Sequence, residues 1–269
     1  MDKKRQLDIE RIADTVRDEC KVTDYGFPNI FEAAGKMRYR VIRYPIGSDA
    51  FLGFALIKDT ERIIFSNSSL ILSREIFSIA HEIGHQKLHL AEQGLMMIKD
   101  DDFNDRNEHE IEANYFAACL LMPKEKVEKF IRLELEDKNV NKLSGLDIAR
   151  IQTEFSVSYD MVLIRLKALG ILSNTSSDEL KLEKIEKTIS RLLNAINGNV
   201  DLCKPAEVKK IPLDFLSWVI SNYNEKLIPV TSLEKVLNYV DIKVEDVVDV
   251  QQNGREEEES IDDLIGRMD

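Results

Sequence analysis

Residues 73–90 read SREIFSIAHEIGHQKLHL, and this stretch decides the fold. Its apolar residues recur at the spacing of one helical face and are Ile76, Phe77, Ala80, Ile83 and Leu88. A repeat of three to four residues is typical of an amphipathic α-helix. Ser73 can cap the start of such a helix through its hydroxyl. The stretch therefore predicts a helix from Ser73 to about Leu90.

The same helix carries the motif His81-Glu82-Ile83-Gly84-His85. Residues four positions apart share a helical face, so His81 and His85 can bind one metal ion together. A catalytic zinc takes three protein ligands and keeps one position open, and Glu82 can act as the base that deprotonates the attacking water. The alternative is that two histidines and a glutamate occur in this order by chance on an exposed helix surface. This alternative is disfavoured, because uncompensated polar groups in an apolar helix are costly. The motif predicts a zinc-dependent peptidase with one Zn²⁺ per chain.

The third zinc ligand is expected on another helix. His89 lies about 12 Å along the axis from His81, which is too far for the same tetrahedral zinc. We therefore expect His89 to support the ligands from behind or to lie on the helix surface. Three glutamates, Glu108, Glu110 and Glu112, begin a second predicted helix at about residues 107–121.

The buried stripe of that second helix separates these glutamates. Its positions are Ala113, Phe116, Ala117, Leu120 and Leu121. Glu110 falls beside the centre of the stripe and Glu112 near its edge, so only one of them is expected to face the first helix. Glu110 is the preferred ligand, Glu112 is the alternative, and a surface position for all the glutamates is the remaining possibility. Asn114, one turn after Glu110, is expected to support His81 or His85.

Composition and charge indicate which partners and which cellular compartment are expected. Lys and Arg total 37 against 49 Asp and Glu, and this net charge of −12 disfavours nucleic acid as a partner. Three widely spaced cysteines, Cys20, Cys119 and Cys203, predict reduced thiols. With no apolar signal or membrane segment, we expect a cytoplasmic protein without a membrane partner.

The rest of the chain predicts strands, then further helices. Runs at 38–44, 51–57 and 62–66 indicate a small antiparallel meander. Residues 145–172 indicate a helix-turn-helix-like pair. Because the second helix of that pair has only Arg165 and Lys167 as cations, support of the catalytic domain is favoured over DNA binding.

Three segments together resemble a known family. They are H-E-I-G-H at 81–85, E-x-E-A-N-x-F-A-A-x-L-L-M-P at 110–123 and V-S-x-x-x-V-L-I-R-L-x-x-L-G-I-L at 157–172. The combination is similar to the ImmA/IrrE family of metallo-endopeptidases over roughly residues 25–172. The resemblance implies that His81, His85 and Glu110 hold zinc and that Glu82 is the catalytic base. It also implies a protein substrate such as a helix-turn-helix transcriptional repressor, cleaved under stress in bacteria, phage or mobile elements.

The expected fold class is α+β: a mostly helical, gluzincin-like peptidase domain with a small antiparallel sheet, followed by a helical C-terminal region. The peptidase domain is placed at 1–172, a helical region of unknown role at 173–253 and an acidic, disordered tail at 254–269. An antitoxin is the alternative substrate. The alternative function is a regulatory binding protein with a vestigial or structural metal site, although such a site would not need Glu82 as a base.

Overall fold

The computed structural model describes residues 1–58, 60–90, 97–100, 107–136 and 143–247. The chain divides into two compact units, the first spanning Met1–Lys210 and the second beginning at Ile211. The predicted acidic tail at 254–269 lies outside the described residues. Within the described part, every helix falls short of the length and apolarity needed to cross a bilayer.

The first unit is mostly helical and contains one sheet. It opens with α1 (Lys3–Glu19), α2 (Ile30–Lys36), β1 (Arg40–Tyr44), β2 (Gly53–Lys58) and β3 (Glu61–Asn67). Next come α3 (Leu72–His85), a π-helical turn (Gln86–Leu90), β4 (Met97–Asp100) and α4 (Glu108–Leu121). The unit continues with α5 (Lys124–Glu134), α6 (Gly145–Phe155), α7 (Tyr159–Ala168), α8 (Asn174–Lys187), α9 (Ile189–Ala195) and a 3₁₀ turn (Val200–Cys203). The α+β, mostly helical fold class is confirmed.

The sheet is mixed, so the predicted antiparallel meander is wrong in the placement of its first strand. The strand order is β1-β3-β2-β4. β1 runs parallel to β3, whereas β2 pairs antiparallel with both β3 and β4. The connection between β1 and β2 is held by buried Asn67, whose amide donates to the carbonyl oxygens of Gly47 and Phe51. This connection carries the chain past β3, and strand periodicity alone does not encode such an order.

Helix α4 packs between α1 and α3 and forms the centre of the core. Fully buried apolar residues of α3 and α4 meet there and are Ile79, Ala80, Ile83, Ala113, Phe116, Ala117, Leu120 and Leu121. From α1 come Ile9, Ala13 and Val16. The helical spacing read from the sequence therefore identifies the faces that are buried.

Both ends of the motif helix differ from the prediction. α3 begins at Leu72, because the backbone N–H of Leu72 donates to the carbonyl oxygen of Lys204 at 2.8 Å and no serine cap is used. The regular α-helix ends at His85, and residues 86–90 continue as a π-helical turn. His89 therefore lies on a wider turn than a regular helix would give.

The helix-turn-helix-like pair consists of α6 and α7, and its inner face joins the core. Arg165 on α7 is 3% exposed and its Nε donates to the carbonyl oxygen of Met122 at 3.0 Å. One of the two cations counted on this helix is therefore used in packing. Direct nucleic-acid binding stays disfavoured as a prediction.

The first compact unit extends beyond the boundary placed at residue 172. α8, α9 and the 3₁₀ turn contribute Leu180, Leu192, Leu193 and Leu202 to the core. Lys210 then pairs with Arg43 of β1 through two backbone hydrogen bonds of 2.8 and 2.9 Å. These contacts keep residues 173–210 with the sheet and helices that precede them.

The second unit contains α10 (Leu213–Asn224), α11 (Val230–Asn238) and a 3₁₀ turn (Val244–Asp246). α11 buries Leu233 and Leu237. These elements lie within the helical region that the sequence analysis places at 173–253.

The contact of α3 with α4 at Gly84 predicts a stability effect. A Cβ at Gly84 would lie 3.0 Å from Phe116 Cδ1 and 3.2 Å from Ala113 Cα. Gly84→Val is therefore expected to lower the free energy of unfolding by about 1–3 kcal/mol, as overpacking usually does. Denaturant unfolding followed by circular dichroism measures the change.

Gly35→Val in α2 is the matched control. Gly35 is exposed, and no described atom outside its own helix backbone lies within 4 Å of a Cβ built there. We expect the control to change the free energy of unfolding by less than about 0.5 kcal/mol. Equal losses in the two variants would contradict the close contact of α3 and α4.

Candidate metal centre

His81 and His85 lie one turn apart on α3, and both side chains are fully buried. Their Nε2 atoms are 2.9 Å apart, so the two rings direct the same nitrogen to one point. His81 Nδ1 is 3.0 Å from Asn114 Oδ1, and His85 Nδ1 is 2.9 Å from His89 Nδ1. The Nδ1 contacts therefore orient each ring with Nε2 toward the shared point.

Glu110 brings a carboxylate to the same point from α4. Its Oε2 is 3.1 Å from His81 Nε2, and its Oε1 is 3.4 Å from His85 Nε2. α4 begins at Glu108, after Asn107 caps it by accepting from the N–H of His109. Because the next turn of α4 packs against Gly84, Glu110 in the first turn lies against α3. The structure thus brings together the three residues that the sequence grouped.

The arrangement of these three side chains fits a zinc ion. One ligand atom from each lies within 4.8 Å of the others. A tetrahedral zinc with bonds of about 2.0–2.2 Å separates its ligand atoms by roughly 3.3 Å. Here the two Nε2 atoms are 2.9 Å apart, Glu110 Oε2 lies 3.1 Å from His81 Nε2, and Glu110 Oε1 lies 3.4 Å from His85 Nε2. Two imidazoles and one carboxylate are also a donor set that suits Zn²⁺, and no second such group occurs among the described residues.

Glu82 follows His81 on α3, and its side chain is fully buried. The carboxylate lies where α3 faces the start of β2. A Cβ at Gly53 would lie 2.8 Å from Glu82 Oε1 and 2.9 Å from Ser78 Oγ. Because Gly53 has no side chain, the Glu82 carboxylate can occupy this space.

His89 is fully buried, which excludes the helix-surface position considered from the sequence. Its Nδ1 contacts His85, and its Nε2 lies 3.2 Å from Glu112 Oε2. Burial lowers the pKa of His89 to about 4, although the hydrogen bond with Glu112 opposes this shift. His89 is therefore neutral near pH 7 and lies behind His85.

Both Glu110 and Glu112 contact histidines of the motif helix that the sequence predicts from Ser73 to about Leu90. The prediction that only one of the two glutamates faces that helix is therefore wrong. Glu110 meets His81 and His85, whereas Glu112 meets His89 on the π-helical turn. The histidines extend over more than two turns, and the two carboxylates reach different levels of the same face. Both are nearly buried, which excludes the surface position for these two, whereas Glu108 is exposed.

Sequence reasoning missed two residues at this site, Arg5 and His109. Arg5 on α1 donates from Nε to Glu112 Oε1 at 2.8 Å and from Nη2 to Glu112 Oε2 at 2.6 Å. These bonds lower the pKa of Glu112 below its usual range. His109 stacks on His89 with ring centroids 4.4 Å apart. His109 adjoins Glu110 in the sequence, but no spacing relates Arg5 to a residue that is 107 positions away.

Two comparisons with known proteins find similar sequences. Residues 29–167, which are 139 of the 269 residues, match the family Peptidase_M78, described as the IrrE N-terminal-like domain. The chain is also 26% identical to the uncharacterized immunity region protein 2 of Bacillus phage phi105 over 125 residues, 46% of this chain and 78% of that protein. The matched segment covers more than half of the chain and includes His81, Glu82, His85 and Glu110. The chain therefore belongs to this IrrE N-terminal-like family of metallopeptidases.

Proposed function

We propose that the protein is a zinc-dependent endopeptidase that holds one Zn²⁺ per chain through His81, His85 and Glu110. The observation that carries the proposal is the convergence of two buried imidazoles and one carboxylate on a single point. Glu82, adjacent to His81, supplies the base that peptide hydrolysis requires. Membership in a metallopeptidase family supports the same class of reaction.

The roles of the side chains follow from this placement. When bound, zinc supplies a Lewis acid that polarises the scissile carbonyl and the attacking water. Glu82 accepts a proton from that water and then delivers it to the nitrogen of the leaving amine. Asn114 and His89 hold the rings of His81 and His85 by their Nδ1 atoms, so that both Nε2 atoms keep their direction.

The proposed substrate is a regulatory protein in the cytoplasm, such as a helix-turn-helix transcriptional repressor or an antitoxin. Similarity to the ImmA/IrrE metallo-endopeptidases supports a repressor. The phage relative is named as an immunity region protein, which supports a switch in a phage or mobile element. Cys20, Cys119 and Cys203 are free thiols, which supports the proposed cytoplasmic location.

The two glutamates of α4 are expected to affect zinc binding to different extents. Glu110→Ala removes a proposed ligand and should weaken zinc binding by more than about 100-fold. This loss is larger than the roughly tenfold loss expected when a residue that only supports a ligand is removed. Glu112→Ala removes only the partner of His89 and should cost about tenfold. Competition with a chromophoric chelator gives the affinities, and elemental analysis gives the stoichiometry, expected to be one zinc per chain.

Glu108→Ala is the control for these variants. Glu108 is exposed at the start of the same helix, so its loss should leave the zinc affinity at the wild-type value. A larger loss in Glu112→Ala than in Glu110→Ala would refute Glu110 as the third ligand. If the wild-type protein binds no zinc, the proposed function itself is wrong.

Glu82→Gln is expected to abolish cleavage but to preserve zinc binding. The amide has the shape of the carboxylate but cannot take a proton from water, so the rate should fall by about 10²–10⁴-fold. The loss is measured by comparing the new protein N-termini in cells that express the wild type with those in cells that express Glu82→Gln. This comparison detects cleavage of any substrate protein. Glu108→Gln should produce the wild-type set of new N-termini. Unchanged N-termini in Glu82→Gln would remove Glu82 from the mechanism.

A further inference from the structure

A continuous series of polar contacts joins the surface helix α1 to a candidate zinc ligand. Arg5 donates two hydrogen bonds to the two oxygens of Glu112. Glu112 Oε2 lies 3.2 Å from His89 Nε2, and His89 Nδ1 lies 2.9 Å from His85 Nδ1. His89 is fully buried and Glu112 is 6% exposed, so water competes little for these contacts. The series ends at the ring whose other nitrogen faces Glu110.

The chemistry of the groups sets the direction of each hydrogen bond. Ionised Glu112 only accepts, so the hydrogen between it and His89 must lie on His89 Nε2. A neutral His89 that carries its hydrogen on Nε2 has an acceptor at Nδ1. The contact with His85 then requires that His85 carry its hydrogen on Nδ1. This tautomer leaves the lone pair of His85 Nε2 directed at the point shared with His81 and Glu110.

We propose that Arg5 is a positioning residue: by holding Glu112, it fixes the tautomers of His89 and His85 and so prepares His85 Nε2 to bind the metal. This inference rests on the proposed function, because it assigns His85 as a zinc ligand. It adds a part of the chain outside the family-matched segment, residues 29–167, to the machinery of the site.

A purely structural role for Arg5, as a tie between α1 and α4, makes different predictions. A second tie between the same helices exists, because the Tyr115 hydroxyl donates to Glu10 Oε1. Neither Glu10 nor Tyr115 belongs to the series of contacts that joins Arg5 to His85. Glu10→Gln replaces the charged acceptor of the Tyr115 hydroxyl by a neutral amide oxygen, which weakens this tie between α1 and α4 but leaves the contacts of Glu112 in place. It therefore serves as the matched control.

The test measures zinc affinity and histidine tautomers in the full chain. With histidine labelled by ¹⁵N, long-range ¹H–¹⁵N spectra assign the protonated nitrogen of each of the four histidines. In the zinc-loaded wild type we expect hydrogen on Nε2 of His89 and on Nδ1 of His85. Glu112→Gln should weaken zinc binding by about tenfold and Arg5→Ala by about threefold, and both should mix the tautomers of His89. Glu10→Gln should leave the zinc affinity and the tautomers as in the wild type.

Arg5→Lys keeps the test decisive if Arg5→Ala does not fold. Lysine keeps the charge but cannot form the two parallel bonds, so its zinc affinity should lie between those of the wild type and Glu112→Gln. Wild-type affinity and tautomers in Arg5→Lys and Glu112→Gln would overturn the proposal, as would an equal loss of affinity in Glu10→Gln. Glu110→Ala, measured together with these variants, distinguishes failure of the proposed function from failure of the role of Arg5. If Glu110→Ala binds zinc as tightly as the wild type, the proposed function fails. If Glu110→Ala is the only variant that loses zinc binding, only the role of Arg5 fails.

Discussion

The close contact between α3 and α4 at Gly84 is the constraint on which the site depends. Glycine at this position allows the backbone of Ala113 and the ring of Phe116 to lie against α3. The first turn of α4 then lies beside the motif histidines, which places Glu110 at contact distance from His81 and His85. Because the two helices are also the centre of the hydrophobic core, the same packing that stabilises the fold sets the separation of the candidate ligands.

Charge is the second constraint, because Glu82 on α3 and both Glu110 and Glu112 on α4 are buried. Carboxylates that are buried together repel one another and lose hydration, and such a cluster is stable only with compensating positive charge or hydrogen-bond donors. For Glu112 the guanidinium of Arg5 supplies both. For Glu110, the proposed divalent cation would supply positive charge, and the donor set of two imidazole nitrogens and one carboxylate suits such an ion.

The sequence predicted that His81, His85 and Glu110 lie together because these residues are related by helical spacing. His81 and His85 follow from a four-residue interval, and Glu110 follows from its angle to the apolar stripe of α4. Spacing could not predict the partners of His89, since a π-helical turn displaces that residue and Arg5 reaches it through Glu112 from a distant helix. The strand order was also beyond local pattern, because Asn67 fixes the connection between β1 and β2 through contacts remote in sequence.

The compact unit is larger than the segment that carries the family motifs, and this difference has a physical basis. α1 covers α4 with Ile9, Ala13 and Val16, while residues 173–210 bury four leucines and pair with the edge strand β1. The matched segment would therefore expose apolar surface on two sides without these flanking parts. Since the flanks bury surface and α1 also carries Arg5 to Glu112, the contact of α1 with α4 stabilises the fold, and the proposed preparation of the metal site would depend on the same contact. The candidate ligands and Glu82 come from two helices, α3 and α4, whereas the residues that pack around these helices come from the whole of the first 210 residues.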